Sequence, residues 1–249
     1  MIDVTQHDGI AILQMQHGKA NALDIEFCHA LAHAVDNLRH VEVHGLILTG
    51  TGTMFSAGVD LPRLIKSGPE YIPEFLAALH HTFETLFTFP KPMIAAINGH
   101  AIAGGCVLAA CADYRIMAGG RIGVSELRVG VPFPVSALEI MRSVVPQKFL
   151  SEVLYDAQNY TPDDAKTVGL IDAITGPDEL MSEAVKKVKS WSAIPATAFA
   201  ITKRQLQAPY LDRIHHNAID TYVVNLWKEP ATLNAIGNFV ASTIKKTQP

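Results

Sequence analysis

Two segments of the chain put glycine where a loop has to present its backbone amides. They are TGTGTMFSAGVDL, Thr49 to Leu61, and NGHAIAGGCVL, Asn98 to Leu108. Glycine accepts unusual dihedrals and lets another backbone or a ligand come close. The second segment also opens a helix of small residues, whose first N–H groups have no partners within the helix and carry partial positive charge. Chemistry available to such a pair is stabilisation of an oxyanion without any charged side chain. Neither segment fits the phosphate loop GxxxxGK[ST] or the dinucleotide spacing GxGxxG. His80-His81 and His215-His216 are adjacent pairs that point to different sides of a helix, so no metal site is expected from them. Asp60 is expected to fix its loop by hydrogen bonds.

Elements that would position these loops follow from periodicity. The opening alternates apolar residues around the turn HDG, Ile2 and Val4 before it, Ile10, Ile12 and Leu13 after it, which predicts two antiparallel strands. Asp24 to Arg39 spaces Ile25, Leu31, Ala34, Val35 and Leu38 on one helical face, with Asp24 as N-cap. Strand and helix then alternate: GLILTG, a helix from Pro73 to Phe87, the strand KPMIAAING, a helix from Gly104 to Cys111, and the strand DYRIMA. Such alternation implies an α/β chain with largely parallel pairing. TPDDAKTVGL reads as a capped helix, with Thr161 at its N-cap, Asp164 in the capping-box position and Gly169 near its end. A core over residues 1–194 and a helical region over 195–249 are expected. In the latter, Tyr222, Val223, Leu226, Trp227, Ile236 and Phe239 are expected to pack on another subunit.

The 249 residues, 49% apolar and 18% charged, suit a globular chain, and no apolar run approaches the roughly 20 residues of a bilayer span. A net charge of -4 with scattered basic residues argues against nucleic acid as a partner. Cys28, Cys106 and Cys111 read as core hydrophobes in a reducing compartment. MIDVTQHDGI does not read as a secretory signal nor KKTQP as a peroxisomal address, so a cytoplasmic location is expected.

The two loops, in their order and surroundings, resemble the crotonase superfamily, also called the enoyl-CoA hydratase/isomerase family. The motifs that carry the resemblance are KANALD (Lys19–Asp24), FSAGVDL (Phe55–Leu61), KPMIAAINGHAIAGGC (Lys91–Cys106), ADYRIM (Ala112–Met117) and IGVSELRVG (Ile122–Gly130). The resemblance implies an α/β crotonase-like spiral of repeated ββα units with a C-terminal helical trimerisation region, in a homotrimer or homohexamer. It implies an acyl-CoA thioester substrate, with coenzyme A as part of the substrate and no separate cofactor. Oxyanion donors would be the N–H groups of Val59 and Gly104. Lys19, Ala20, Ala22 and Leu23, with Ala57, Asp60 and Leu61, would lie along the coenzyme A.

Members that hydrate a double bond generally use two glutamates. The first of those positions falls on Val107, which moves no proton; the second falls on Glu126. The resemblance therefore turns Glu126 from a solvent-facing loop residue into the expected proton carrier, with desolvation by Val107, Leu127 and Phe133 raising its pKa. Asp113 is expected to make a structural hydrogen bond. Within the superfamily, a lone glutamate in IGVSEL is closer to the isomerases that convert 3-enoyl-CoA to trans-2-enoyl-CoA than to the hydratases. The alternatives are a hydratase with one glutamate and a non-catalytic acyl-CoA binder. VPFPVSALEI departs from the family pattern in its prolines, and its Glu139 is a second candidate acid, against the plainer reading of a helical surface residue.

Overall fold

An Asp8-Gly9 turn with both residues at positive φ (49° and 72°) joins strands β1 (Ile2–His7) and β2 (Ile10–Met15), whose register runs from Ile2 opposite Met15 to His7 opposite Ile10. We describe a computed structural model that covers residues 1–216 and 220–247; Gln248 and Pro249, which end the KKTQP stretch, lie outside it. Helix α1 (Ile25–Arg39) begins where sequence places it, because Asp24 accepts the Phe27 N–H at 2.8 Å, and it buries Phe27, Cys28, Leu31, Val35 and Leu38.

A ββα unit then recurs, and its two strands go to different sheets. The first unit is β3 (Gly45–Thr49), β4 (Met54–Ser56) and helices α2 (Leu61–Ser67) and α3 (Ile72–Phe87). The second is β5 (Met93–Ile97), β6 (His100–Ile102) and α4 (Gly104–Ala110). The third is β7 (Tyr114–Met117), β8 (Ile122–Gly123), α5 (Glu126–Val129) and α6 (Val135–Val144). After α7 (Gln147–Tyr155), α8 (Pro162–Val168) and β9 (Ala173–Ile174), the larger sheet has the order β1-β2-β3-β5-β7-β9 and is parallel from β2 onward. Strands β4, β6 and β8 form the smaller, parallel sheet. This is the spiral the sequence motifs imply.

Strands β3 and β5 are buried along their whole length, so GLILT and MIAAI show no polar alternation. Alternation survives as a division between two cores. Leu46, Leu48 and Ala95 join the main core, while Ile47, Ile94 and Ile116 pack under Leu180, Ala184 and Val188 of α9 (Leu180–Ser192). Thr161 caps α8 as expected, and Gly169 ends it at φ 84°.

Beyond α10 (Ala196–His215), the expectation of an apolar surface reserved for another subunit needs correcting. Helices α11 (Asp220–Lys228) and α12 (Pro230–Thr247) turn back on their own chain, α11 against α3 and α12 against α2 and α5. Val223, Trp227 and Ile236 are buried in the main core and Phe239 packs against it. Only Tyr222, 77% exposed, and Leu226 of that set face outward. The apolar stripe of each helix is satisfied within the chain because the pair closes over the helices that flank the glycine loops. Among the described residues no helix is long and apolar enough to cross a membrane.

Candidate active site

The glycine loops meet at the ends of β4 and β6. Residues 20–24 run alongside 57–60: Ala57 N–H donates to the Ala20 carbonyl (2.9 Å), Leu23 N–H to Gly58 (2.7 Å), and Asp60 N–H to Leu23 (2.9 Å). Asn21, buried at φ 47°, donates its side-chain amide to the Phe55 carbonyl at 3.0 Å, while the Ser56 hydroxyl donates to the Asn21 carbonyl at 2.7 Å. Leu23 and Val59 form a parallel bridge in which the groups on either side of Val59 bond Leu23, so the Val59 N–H is left on the opposite edge.

Helix α4 abuts this loop. A Cβ at Gly105 would collide with the Ser56 carbonyl, so only glycine lets α4 come this close to β4. Gly58 sits at φ 77°, and a Cβ there would lie 2.6 Å from the Ile102 carbonyl oxygen and 2.8 Å from the Gly104 nitrogen. Ala103, before the helix, is held at φ 51° and ψ -123°, a conformation that costs a non-glycine residue about 1–3 kcal/mol. Its N–H donates to Gly123 at 2.8 Å and its carbonyl accepts Cys106 N–H at 2.8 Å, so both sides fix the rotation that aims the Gly104 N–H. Among the described residues neither Val59 nor Gly104 N–H has an acceptor. Free, adjacent donors on a rigid backbone suit an oxygen on which charge develops.

Glu126 is 9% exposed, and one of its carboxylate oxygens is buried without a hydrogen-bond partner. Burial raises its pKa from 4.5 to about 7, opposed only by the backbone amides of Glu126 and Ser125. The residue stands in the first turn of the short helix α5 rather than in a strand or exposed loop. Of the apolar neighbours expected around it, Val107 is wholly buried in the core and Phe133 is packed against it. Leu127 is 41% exposed and does not supply the desolvation.

The other acids have structural partners. Asp113 accepts the Met93 N–H at 2.9 Å and pairs with buried Lys203 at 2.7 Å. Glu139, read from sequence as a surface residue, is buried and clasped by Arg213 (2.6 Å) and Arg142 (3.2 Å). Helix periodicity could supply Arg142, three residues on in α6, but not Arg213, which comes from α10. Asp60 accepts the Arg63 N–H at 2.9 Å and caps α2. Arg63 escaped the sequence reading; it joins Asp24 at 3.0 Å and Glu26 at 2.5 Å. His17 adds a contact to Asp24 at 3.0 Å; against burial, the largest effect and a raising one, the Phe27 N–H, His17 and Arg63 together hold the Asp24 carboxyl below its ordinary value.

Ala20, Ala22, Ala57 and Asp60 are half-buried on the paired segments, Leu61 is half-buried just after them, and Lys19 is exposed just before them. Leu23 is different: fully buried, it reaches within 2.9 Å of where a Gly104 Cβ would stand and so walls the donor pair. His80 and His215 each meet Glu84, at 3.2 and 2.7 Å, and among the described residues no cluster of three His, Cys, Asp or Glu side chains could hold a metal ion. Burial keeps the cysteine thiols protonated, pushing Cys28 up to about 12 and raising Cys106 and Cys111 further.

Comparison with known proteins places the chain in a family. Residues 5–229 match the enoyl-CoA hydratase/isomerase family. The mitochondrial enoyl-CoA delta isomerase 1 of Mus musculus is 27% identical over 211 residues, spanning 83% of this chain and 73% of that protein. A putative enoyl-CoA hydratase of Thermus thermophilus is 31% identical over 195 residues, spanning 76% and 77%. The crystal structure of human mitochondrial delta3-delta2-enoyl-CoA isomerase superimposes with a TM-score of 0.94 over 99% of both chains at 23% identity, a likeness of fold. With the family match covering most of its length and the ββα spiral in place, the chain belongs to the enoyl-CoA hydratase/isomerase family and is an enzyme of that family.

Proposed function

We propose that the enzyme isomerises 3-enoyl-CoA thioesters to trans-2-enoyl-CoA with Glu126 as its single proton carrier. Ionised Glu126 takes a proton from C2, and the electron pair moves into the thioester to give an enolate. The Val59 and Gly104 N–H groups bind the enolate oxygen, each such donor contributing on the order of 3 kcal/mol in the transition state. Protonated Glu126 then returns the proton to C4, the enolate collapses, and the double bond lies between C2 and C3. A carboxyl with a pKa of about 7 serves both half-steps near neutrality, because neither protonation state is strongly disfavoured.

The observation that carries this reading is the buried, unpartnered Glu126 oxygen, with no second free acid beside it among the described residues. Asp113 is occupied by Lys203, and Val107 fills the other family position with an aliphatic side chain. Shuttling one proton between two carbons needs no activated water, whereas hydration needs a base for water and an acid for carbon. Lys19, Ala20 and Ala22 with Ala57, Asp60 and Leu61 would line the coenzyme A, in a homotrimer or homohexamer in the cytoplasm.

Incubation of the purified protein with 3-enoyl-CoA should produce the conjugated 2-enoyl-CoA chromophore, and incubation with 2-enoyl-CoA should yield little 3-hydroxyacyl-CoA. Faster formation of the hydroxy product would replace this reading with that of a one-glutamate hydratase, a reading favoured by the Thermus thermophilus relative. The kcat/KM profile should rise with pH through a single ionisation near 7, since Glu126 must be ionised in the free enzyme to remove the C2 proton. A profile flat from about pH 5 to 8 would exclude Glu126 as the base.

A further inference from the structure

The C-terminal helices meet the segment that follows Glu126 at a series of points in reversed order. Asp220, at the start of α11, accepts the Val135 N–H at 3.0 Å. Trp227, 1% exposed, donates its indole N–H to the Pro132 carbonyl at 3.0 Å. Ala235 of α12 comes within 3.6 Å of where a Gly130 Cβ would stand, and the next residue, Ile236, is fully buried.

Within itself the segment is held by two long turn bonds, Val131 N–H to the Glu126 carbonyl and Gly130 N–H to the Leu127 carbonyl, both at 3.2 Å, and by the buried side chains of Val129 and Val131. Pro132 and Pro134 have no N–H to donate, and Pro134 offers no side-chain cap to α6. Helix α5 is a single turn ending at Gly130 in the left-handed region, and one turn of helix has no stability of its own. The place of Glu126 therefore also depends on what grips the chain just beyond it. Trp227 is the most deeply buried of the polar contacts that do so.

We infer that Trp227 is a positioning residue for proton transfer: by tying Pro132 to α11 it holds α5, and with it the Glu126 carboxyl, in a dry position against the reacting carbons. The inference rests on the reading of Glu126 as the proton shuttle. Few other charges bear on that carboxyl. The described stretch of α12 against α5, Pro230 to Thr243, has no ionisable side chain. On α11, Asp220 caps Val135 and Lys228 reaches out to Glu70 at 3.6 Å. Arg128 of α5 is exposed, and on the α4 side the titratable neighbour is Cys106, whose thiol burial keeps protonated.

The test uses the full chain with Trp227→Phe, which removes the donor and keeps an aromatic ring of somewhat smaller size, and Trp227→Ala. Steady-state kinetics on 3-enoyl-CoA would be run across pH, and the Glu126 carboxyl titrated by infrared difference between each protein and its Glu126→Gln counterpart. A small misplacement of a reacting group costs up to ~100-fold in rate, so we expect kcat to fall ~10-fold in Trp227→Phe and more in Trp227→Ala, with KM within about 2-fold. The titration and the rising limb of the kcat/KM profile should both move down from about 7 toward 4.5 as water reaches the carboxyl. Loss of rate with an unmoved titration would overturn the inference, as would unchanged kcat in both variants; if Trp227→Ala fails to fold, Trp227→Phe decides. A titration that moves while the unaltered protein does not turn over 3-enoyl-CoA would support the clamp and sink the shuttle reading beneath it.

Discussion

Glu126→Gln should lose isomerase turnover by ~1,000-fold or more while binding of a saturated acyl-CoA changes by less than about 3-fold. Glutamine keeps the size of the side chain but cannot take the C2 proton, and among the described residues no second acid is placed to do so. Asp113 and Glu139 are held by Lys203 and by an arginine pair. Binding should survive because the proposed coenzyme A segments and the amide donors lie on other elements. Retained turnover would remove Glu126 from the mechanism. The same substitution has a second, independent signature in stability. The Glu126 pKa is raised in the folded protein, from 4.5 to about 7. Its ionisation therefore opposes folding progressively as pH rises through that window, and below it the carboxyl is protonated in both states and imposes no penalty. At roughly 1.4 kcal/mol per pH unit, Glu126→Gln should be more stable than the parent by about 3 kcal/mol above pH ~8 and no more stable below pH ~4.5. Denaturant titrations at both pH values would measure this, and equal stabilities at high pH would mean that the carboxyl is wetter than the structure places it.

How far such a site can be read from sequence depends on which signals are local. Asp24, Thr161 and Gly169 mark helix ends through contacts within a few residues, and the structure places those caps where the letters do. Strands β3 and β5 are evident from apolar runs long enough to be recognised. Their partners in the smaller sheet, β4, β6 and β8, are only two or three residues long and have no periodicity to detect. They became expected only through the family resemblance. Val59, Gly104 and Glu126 were likewise legible as motif positions, but of the apolar neighbours from which a dry Glu126 was expected, Leu127 turns out 41% exposed. One of the helices packed against that of Glu126, α12, lies more than a hundred residues later in the chain. The same non-locality misled the reading of Glu139, whose Arg213 partner lies on α10, and of the apolar C-terminal helices, which close over their own chain.

Gly58→Ala should act as an oxyanion-hole mutation although residue 58 donates nothing to the oxyanion. The residue sits at φ 77°, where any side chain is strained, and its Cβ would stand 2.6 Å from the Ile102 carbonyl oxygen and 2.8 Å from the Gly104 nitrogen. Both atoms belong to backbone, so neither can rotate out of the way as a side chain would. Relief has to come from separating the loop at 57–60 from the start of α4. That separation is also the distance between the Val59 and Gly104 N–H groups. Ala103, already at φ 51° and bonded through both its N–H and its carbonyl, has little freedom to absorb the shift. Loss of one well-placed donor costs about 100- to 1,000-fold in kcat, and that is the loss expected here, with the single pH limb near 7 unchanged because Glu126 lies on a different element. The comparison of limbs is what makes the experiment discriminating: Trp227 variants should move the limb and Gly58→Ala should not. If Gly58→Ala instead keeps its rate, or loses it together with the position of the limb, the pairing of Val59 and Gly104 as donors would have to be abandoned.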